Sequence, residues 1–335
     1  MIITRTPFRI SFFGGGTDYP AWYRKNGGAV LSATIDKYCY LLVRHLPPFF
    51  EYRYRVRYST NENVLTHDEI EHPSVRESLK YFNFTEGVEI VHTADLPAMS
   101  GLGSSSSFTV GLVHALAALR GEELTKQQLA ERAIEIEQER IKENVGSQDQ
   151  VAAAFGNVNT IEFSGNTVSV RPVAATAERL RELEGDLLLF FTGFSRRASE
   201  IAAEQVKAIP QKAKELTRMR EMVSEGRDIL EGDGSLDDFG SLLHEAWTLK
   251  RALSPIITNE HIDAIYEKGR TAGALGGKLL GAGSGGFMLF YVPKEKQSAV
   301  RRALKDLLHV PFHFEPQGSH IILQRPSEKY EIVKE

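Results

Sequence analysis

Hydrophobic and polar positions alternate from Thr6 to Phe13, with Phe8, Ile10 and Phe12 on one face and Arg9 and Ser11 on the other. A period of two predicts a strand, and it ends at Gly14-Gly15-Gly16. The same reading predicts strands at Ala29–Ile35, Tyr38–Arg44, Tyr52–Tyr58 and Val88–Asp95. After a Gly/Ser loop from Pro97 to Ser107, Phe108 to Leu119 reads as an apolar helix. A second helix is expected over Lys126 to Glu143, and a third starts near Ser147. Strands near Gly156–Phe163 and Thr167–Pro172 close this half, and the charged stretch Ala174–Gly185 reads as a linker. Beyond it come a strand at Asp186–Phe191, amphipathic helices at about 198–231, 235–251 and 259–272, and a glycine cluster from Gly276 to Gly286. A strand at Phe287–Val292, a helix over Lys294 to Leu308 and a strand near 318–324 follow. Strands grouped before helices, twice over, predict an α+β protein of two domains, residues 1–175 and 186–335.

Composition narrows the partners. Charged residues make up 25% and the formal net charge is −4, so no basic face argues for nucleic acid. The apolar runs are too short to span a bilayer. A single cysteine, Cys39, excludes an internal disulfide and suits a reducing cytoplasm. The expected partner is a small molecule.

Three glycine-rich segments are the candidate chemistry. Gly14-Gly15-Gly16-Thr17-Asp18 allows close backbone approach, with a hydroxyl and a carboxylate to follow, though taken alone the segment reads first as a tight turn capped by an Asx residue. Pro97 to Ser107 lies between a strand and a helix, where free N–H groups and the helix dipole converge, as a phosphate site requires. The plainer alternative is a loop with a serine N-cap. Gly281-Ala282-Gly283-Ser284-Gly285-Gly286 has the form of a dinucleotide fingerprint but opens into a strand, and Gly277-Lys278 lacks the rest of a Walker loop. A bulged hairpin is its alternative.

Two carboxylates stand out. Glu137 falls inside the apolar arc of Ala130, Ala133, Ile134, Ile136 and Ile141. An inward carboxylate needs a cation or an ion pair, and either a metal or Arg140 could supply it. Asp149 sits in the first turn of the helix restarted by Ser147-Gln148-Asp149-Gln150, which has the form of a capping box. Magnesium needs only one or two carboxylates beside phosphates, and a hydroxyl nucleophile needs one to orient it.

Together these segments resemble the signature motifs of the GHMP kinases (galactokinase, homoserine, mevalonate and phosphomevalonate kinases). Pro97–Ser107 matches the P-x-x-x-G-L-G-S-S pattern, Gly276–Gly286 the carboxyl-terminal glycine motif, and Thr6-Pro7-Phe8-Arg9 with Thr17-Asp18-Tyr19 the amino-terminal one. The resemblance implies a ribosomal S5 domain 2-like amino-terminal domain and a ferredoxin-like carboxyl-terminal domain. It implies ATP held by Pro97, Ser100, Gly101, Leu102, Gly103, Ser104, Ser105 and Ser106, and Mg2+ on Ser105 and Glu137. Asp149 would be the catalytic base, with Arg9 beside the transferred phosphoryl. Gly15, Gly16, Thr17 and Asp18 would face the sugar, with Gly281, Gly283 and Gly285 shaping the acceptor side. Gly15-Gly16 before Thr17-Asp18 departs from the galactokinase pattern Gly-Glu-His-Thr-Asp. With Phe191-Thr192-Gly193-Phe194-Ser195-Arg196 it looks most like the D-glycero-D-manno-heptose 7-phosphate kinases, which phosphorylate the anomeric hydroxyl. A phosphorylated acceptor would need a cationic receptor, for which Arg196 and Arg197, just past the strand at Asp186–Phe191, are the first candidates and Lys250 and Arg251 the reserve. A free-sugar kinase of the fucokinase or galactokinase type is the alternative. A non-catalytic sugar sensor would be marked by loss of the base or the metal ligand, and both are present. Oligomeric state is left open.

Overall fold

A computed structural model describes residues 1–193 and 198–326 of the chain. Its strands are β1 (Ile2–Phe13), β2 (Gly28–His45), β3 (Tyr54–Arg57), β4 (Asn61–Val64), β5 (Val88–Ala94), β6 (Val158–Ser164), β7 (Thr167–Pro172), β8 (Leu187–Gly193), β9 (Gly276–Leu279), β10 (Gly286–Tyr291), β11 (Leu308–His309) and β12 (His320–Gln324). Helices α1 (Pro20–Asn26), α2 (Pro73–Tyr81), α3 (Ser104–Leu119), α4 (Lys126–Glu135), α5 (Gln148–Phe155) and α6 (Ala177–Gly185) belong to the first half. In the second half lie α7 (Ala198–Ala208), α8 (Ala213–Glu231), α9 (Asp237–Leu253), α10 (Glu260–Thr271) and α11 (Gln297–Ala303).

The first sheet runs β12-β1-β2-β5-β3-β4, with β6 and β7 added beyond the amino-terminal part of β2. The two strands expected at Ala29–Ile35 and Tyr38–Arg44 are one strand. The register against β1 shifts where Pro7 pairs with Tyr38 and Phe8 with Ile35, so Asp36-Lys37 is a bulge that breaks the alternation without ending the strand. Beyond the bulge β2 changes neighbour, pairing with β6 before it and β5 after it. Apart from the parallel β3–β5 pair, the ladders are antiparallel. The strand expected near 318–324 forms as β12, but it completes the first sheet beside β1 and not the second.

The second sheet has the order β11-β8-β10-β9, antiparallel throughout, as the β-α-β-β-α-β ferredoxin-like topology requires. Its inner strand β10 is buried at every position, consistent with the apolar run Phe287–Val292, and β8 at all but Phe191 and Gly193. The helix expected over about 198–231 is two helices, because Pro210 sits in a 3-10 turn between α7 and α8. The stretch read as a linker forms α6, and the helix expected from Lys294 to Leu308 is confined to α11 after a 3-10 turn.

One core joins the halves. Phe12 and Phe13 at the end of β1 pack edge-on against Phe239 of α9, with centroids 5.2 and 4.9 Å apart. That contact is of the size worth roughly 0.5–1.5 kcal/mol per aromatic pair beyond burial. The end of β1 therefore meets the second half at the place where its glycine run begins.

Candidate active site

The helix over Pro97–Ser107's far end begins at Ser104, with Gly103 as N-cap at φ 76° and no side chain capping it. The serine N-cap alternative is thereby overturned. The first-turn N–H groups of a sixteen-residue helix, with its positive dipole end, face a cavity of about 560 Å³ lined by Gly101, Gly103, Ser104, Ser105 and Ser106. Ser107 is turned away, donating to the Pro7 carbonyl at 2.9 Å.

This loop is closed from the second half by the other glycine cluster. A Cβ on Gly101 would stand 2.5 Å from the Leu280 carbonyl oxygen, and one on Gly281 would stand 2.4 Å from the Gly101 Cα. The two loops meet backbone to backbone, which only glycine permits at these positions. Gly281 lines the cavity; Gly283 packs against Ile257, and Gly285 is not in the cavity wall.

Arg9 reaches the same cavity from β1, although its side chain is buried among core strands. Its Nε donates to Asp149 Oδ1 at 2.7 Å and its Nη2 to Asp149 Oδ2 at 2.8 Å, a bidentate pair. Its Nη1 donates to the Gly101 carbonyl at 2.7 Å. One guanidinium thus ties the α5 carboxylate to the Pro97–Ser107 loop. Asp149 occupies the first turn of α5, but the expected capping box does not form there. Ser147 Oγ instead bonds Tyr23 Oη at 3.1 Å and accepts from Gln138 Nε2 at 3.0 Å, while Gln150 Nε2 donates to Glu137.

Glu137 is inward, as its position in the apolar arc requires. Regular helix ends at Glu135, and a π turn over Ile136–Arg140 carries it, closed by Ile141 N–H to the Ile136 carbonyl at 2.9 Å. Arg140 is not its partner: it binds Glu135, at 3.1 Å, and covers the Tyr81 ring. Glu137 Oε2 accepts from Ser106 Oγ at 2.9 Å and from Gln150, whereas its buried Oε1 has no hydrogen-bond partner. Burial pushes this carboxyl up to about 7. Glu137 stands behind the wall, and Ser105 and Ser106 form the wall itself. Among the described residues no cluster of three or more His, Cys, Asp or Glu could hold a metal. A buried carboxylate held by Ser106, with Oε1 free of a hydrogen bond within normal geometry, fits magnesium, which binds one or two carboxylates and takes its remaining ligands from phosphate and water.

Asp18 closes the opposite side. Its Oδ1 accepts the Gly16 N–H at 2.9 Å and its Oδ2 the Gln148 N–H at 3.4 Å. Burial pushes its carboxyl above the ordinary aspartate range. A Cβ on Gly146 would stand 1.9 Å from Asp18 Oδ2, so the loop of Lys142–Gly146 comes this close only because residue 146 is glycine. Gly15, Gly16 and Asp18 line the cavity; Thr17 does not. Its buried hydroxyl lies 2.8 Å from the Gly14 carbonyl and 2.9 Å from that of Ala29, and serves the turn.

Of the remaining residues expected at the site, Pro97 is exposed, and Ser100 and Leu102 are buried, all outside the cavity wall. The Leu102 carbonyl accepts the Arg9 N–H at 3.0 Å. Arg196 and Arg197 lie outside the described residues. Arg251 binds Asp263 at 3.2 Å and does not line the cavity, whereas Lys250 does. Lys278, read in sequence only as a failed Walker lysine, is also in the wall. No signal in the sequence marked it, since β9, a strand buried at every position, read there only as part of a glycine cluster.

Residues 73–157 match the family model described as GHMP kinases N terminal domain, and residues 227–310 that described as GHMP kinases C terminal. A D-glycero-alpha-D-manno-heptose 7-phosphate kinase of Campylobacter jejuni is 33% identical over 337 residues, 95% of this chain and 97% of that protein. An Arabidopsis thaliana bifunctional fucokinase/GDP-fucose pyrophosphorylase is 28% identical over 90% of this chain, which spans 31% of its length. Among solved structures, a D-glycero-D-manno-heptose 1-phosphate kinase from Bacteroides thetaiotaomicron shares the fold at TM-score 0.80 and 23% identity, covering 97% of this chain and all of its own (100%). Lactococcus lactis galactokinase complexed with galactose shares it at TM-score 0.72 and 21% identity, over 95% of this chain and 94% of its own.

Proposed function

The chain belongs to the GHMP kinases and is an ATP-dependent sugar kinase, and on that premise we propose that it phosphorylates the anomeric hydroxyl of D-glycero-D-manno-heptose 7-phosphate. The product is the 1,7-bisphosphate. The reading is carried by one observation: the Arg9-clamped Asp149 carboxylate opens into the same cavity as the α3 amino terminus and Asp18. A nucleotide phosphate at the helix end and a sugar at Asp18 would meet at Asp149. The near full-length likeness to a heptose 7-phosphate kinase supplies the choice of sugar.

In this reading Gly101, Gly103 and the Ser104–Ser106 turn cradle the ATP phosphates with backbone N–H groups and hydroxyls. Asp18 hydrogen-bonds sugar hydroxyls, and its closeness to Gly146 fixes the sugar against α5. Asp149 orients the acceptor hydroxyl and takes its proton as the new P–O bond forms and the bond to ADP breaks. Arg9 holds both carboxylate oxygens, so the base cannot rotate away. Ser105 and Glu137 would hold Mg2+, which supplies neutralisation of phosphate charge. Use of ATP and a lone buried cysteine, Cys39, support work in a reducing cytoplasm.

ATP consumption with heptose 7-phosphate, heptose 1-phosphate, free heptose and L-fucose tests the acceptor. The 7-phosphate is expected to give the highest kcat/KM. The fucokinase relative favours a second reading, and an equal or better rate with a free sugar would establish it in place of the first.

A further inference from the structure

Two lysines in the cavity wall make no ion pair among the described residues, although the Asp18 carboxylate shares the cavity with them. Lys250 comes from the last turn of α9 and Lys278 from β9, and they are 8% and 3% exposed. Lys250 Nζ donates to the carbonyls of Leu279 at 2.8 Å and Gly281 at 2.5 Å, and Lys278 Nζ donates to that of Phe12 at 2.7 Å. An ammonium has three donors, so Lys250 keeps one and Lys278 two. Burying an ammonium without an ion pair is costly, and these two also repel each other and Arg9, with Asp18 offsetting only part of that. Apolar residues would fill the same space without that penalty. An arrangement of this kind is accounted for by an anion that enters the cavity.

Their anchors say where that anion sits. Lys250 is fixed on Gly281, which packs on Gly101, and Arg9 is fixed on the Gly101 carbonyl. The two cations therefore flank a single backbone contact at the start of the phosphate loop. Lys278 is fixed on Phe12, in the same strand as Arg9. Arg9 commits three of its five N–H donors to Asp149 and Gly101, and the lysines add their own unused donors on the side of the second half. We propose that Lys250 and Lys278 are catalytic residues that bind the oxygens of the phosphoryl group as it passes from ATP to the acceptor. The phosphorus loses its bond to the β-phosphate oxygen, which leaves on ADP with the electron pair, and gains a bond to the acceptor oxygen. The acceptor proton goes to Asp149, and the lysines keep theirs. Their charge is placed where the equatorial oxygens carry charge in the transition state. The inference rests on Asp149 and the phosphate loop being the transfer site, and not on which sugar is used.

Lys250→Met and Lys278→Met test it, with Lys→Arg variants as partial rescues. Loss of one such donor is expected to lower kcat by about 10²–10³ while KM for ATP and acceptor stays within a few-fold, for free and phosphorylated sugar alike. Binding gives a second readout. ADP with aluminium fluoride and acceptor, which mimics a planar phosphoryl in transit, is expected to bind the wild type more tightly than ADP with acceptor. The Met variants are expected to lose that increment and keep ADP affinity, which also shows that they fold. A variant that loses only KM for a sugar phosphate overturns the assignment in favour of a receptor for the acceptor's own phosphate. Unchanged kcat and unchanged aluminium fluoride increment overturn it in favour of a purely structural role. Asp149→Asn separates the levels: if it turns over normally, the transfer site itself is misassigned, and if it is inactive beside active lysine variants, only the lysines fall.

Discussion

Glu137 is buried with one carboxylate oxygen bonded to Ser106 and Gln150, and the other near the Thr109 hydroxyl without a well-formed hydrogen bond. A side chain in that state serves either the packing or an incoming cation, and the two roles respond differently to substitution. If Glu137 and Ser105 hold magnesium together, Glu137→Gln and Ser105→Ala should each raise the magnesium concentration for half-activity by roughly 10–100-fold, the scale seen when metal-site partners are lost. Their effects should combine less than additively, as expected for one coordination shell. If Glu137 only anchors Ser106 and Gln150, Glu137→Gln should lower the melting temperature with the magnesium titration unmoved. Melts run beside magnesium titrations decide. The inward carboxylate was legible from a 3.6-residue period, because periodicity reports which side of a helix a residue is on. Its partners were not legible. The π turn that carries it changes the period locally, and Gln150 lies on another helix.

At the scale of elements, the strand–loop–helix order around Pro97–Ser107 was readable because helix starts and glycines are local signals. The bulge at Asp36-Lys37 was misread as a gap, since a bulge and a turn interrupt alternation in the same way. β12 was assigned to the wrong sheet because strand pairing over more than three hundred residues leaves no mark on either strand. The contact between Gly146 and Asp18 is of the same long-range kind. It makes a specific prediction. Gly146→Ala must push the Lys142–Gly146 loop or the Asp18 carboxylate aside, since a methyl cannot sit 1.9 Å from an oxygen. KM for the sugar should rise by about tenfold or more, the equivalent of ~1.4 kcal/mol or greater, while KM for ATP changes little. Steady-state kinetics with each substrate varied in turn measures this, and an equal rise in both constants would mean that the loop serves the nucleotide instead.

The molecule as a whole carries its site between two sheets, and the second half contributes charge as well as shape. Burial and the neighbouring Arg9 bring the Lys278 ammonium down to about 7, with Asp18 acting the other way. Because the folded value lies below the unfolded one, the folded state disfavours the proton. The stability that the lysine withholds is therefore greatest below pH 7, where both states are charged. It is recovered as pH rises from about 7 toward the ordinary lysine range near 10.5, where both are neutral. Lys278→Met removes the titration but also strands the Phe12 carbonyl, an effect that does not depend on pH. The informative quantity is thus the change in the wild-type minus variant difference, not its sign at one pH. Ligand-free melts at pH 6.5 and pH 9 should show wild type gaining on Lys278→Met as pH rises. Saturation with ATP and acceptor should reduce that gain, because an anion beside the lysine favours the charged form again. A difference that stays constant across this range would mean that Lys278 is neutral or compensated throughout, and that any charge the second half supplies to the site comes from Lys250.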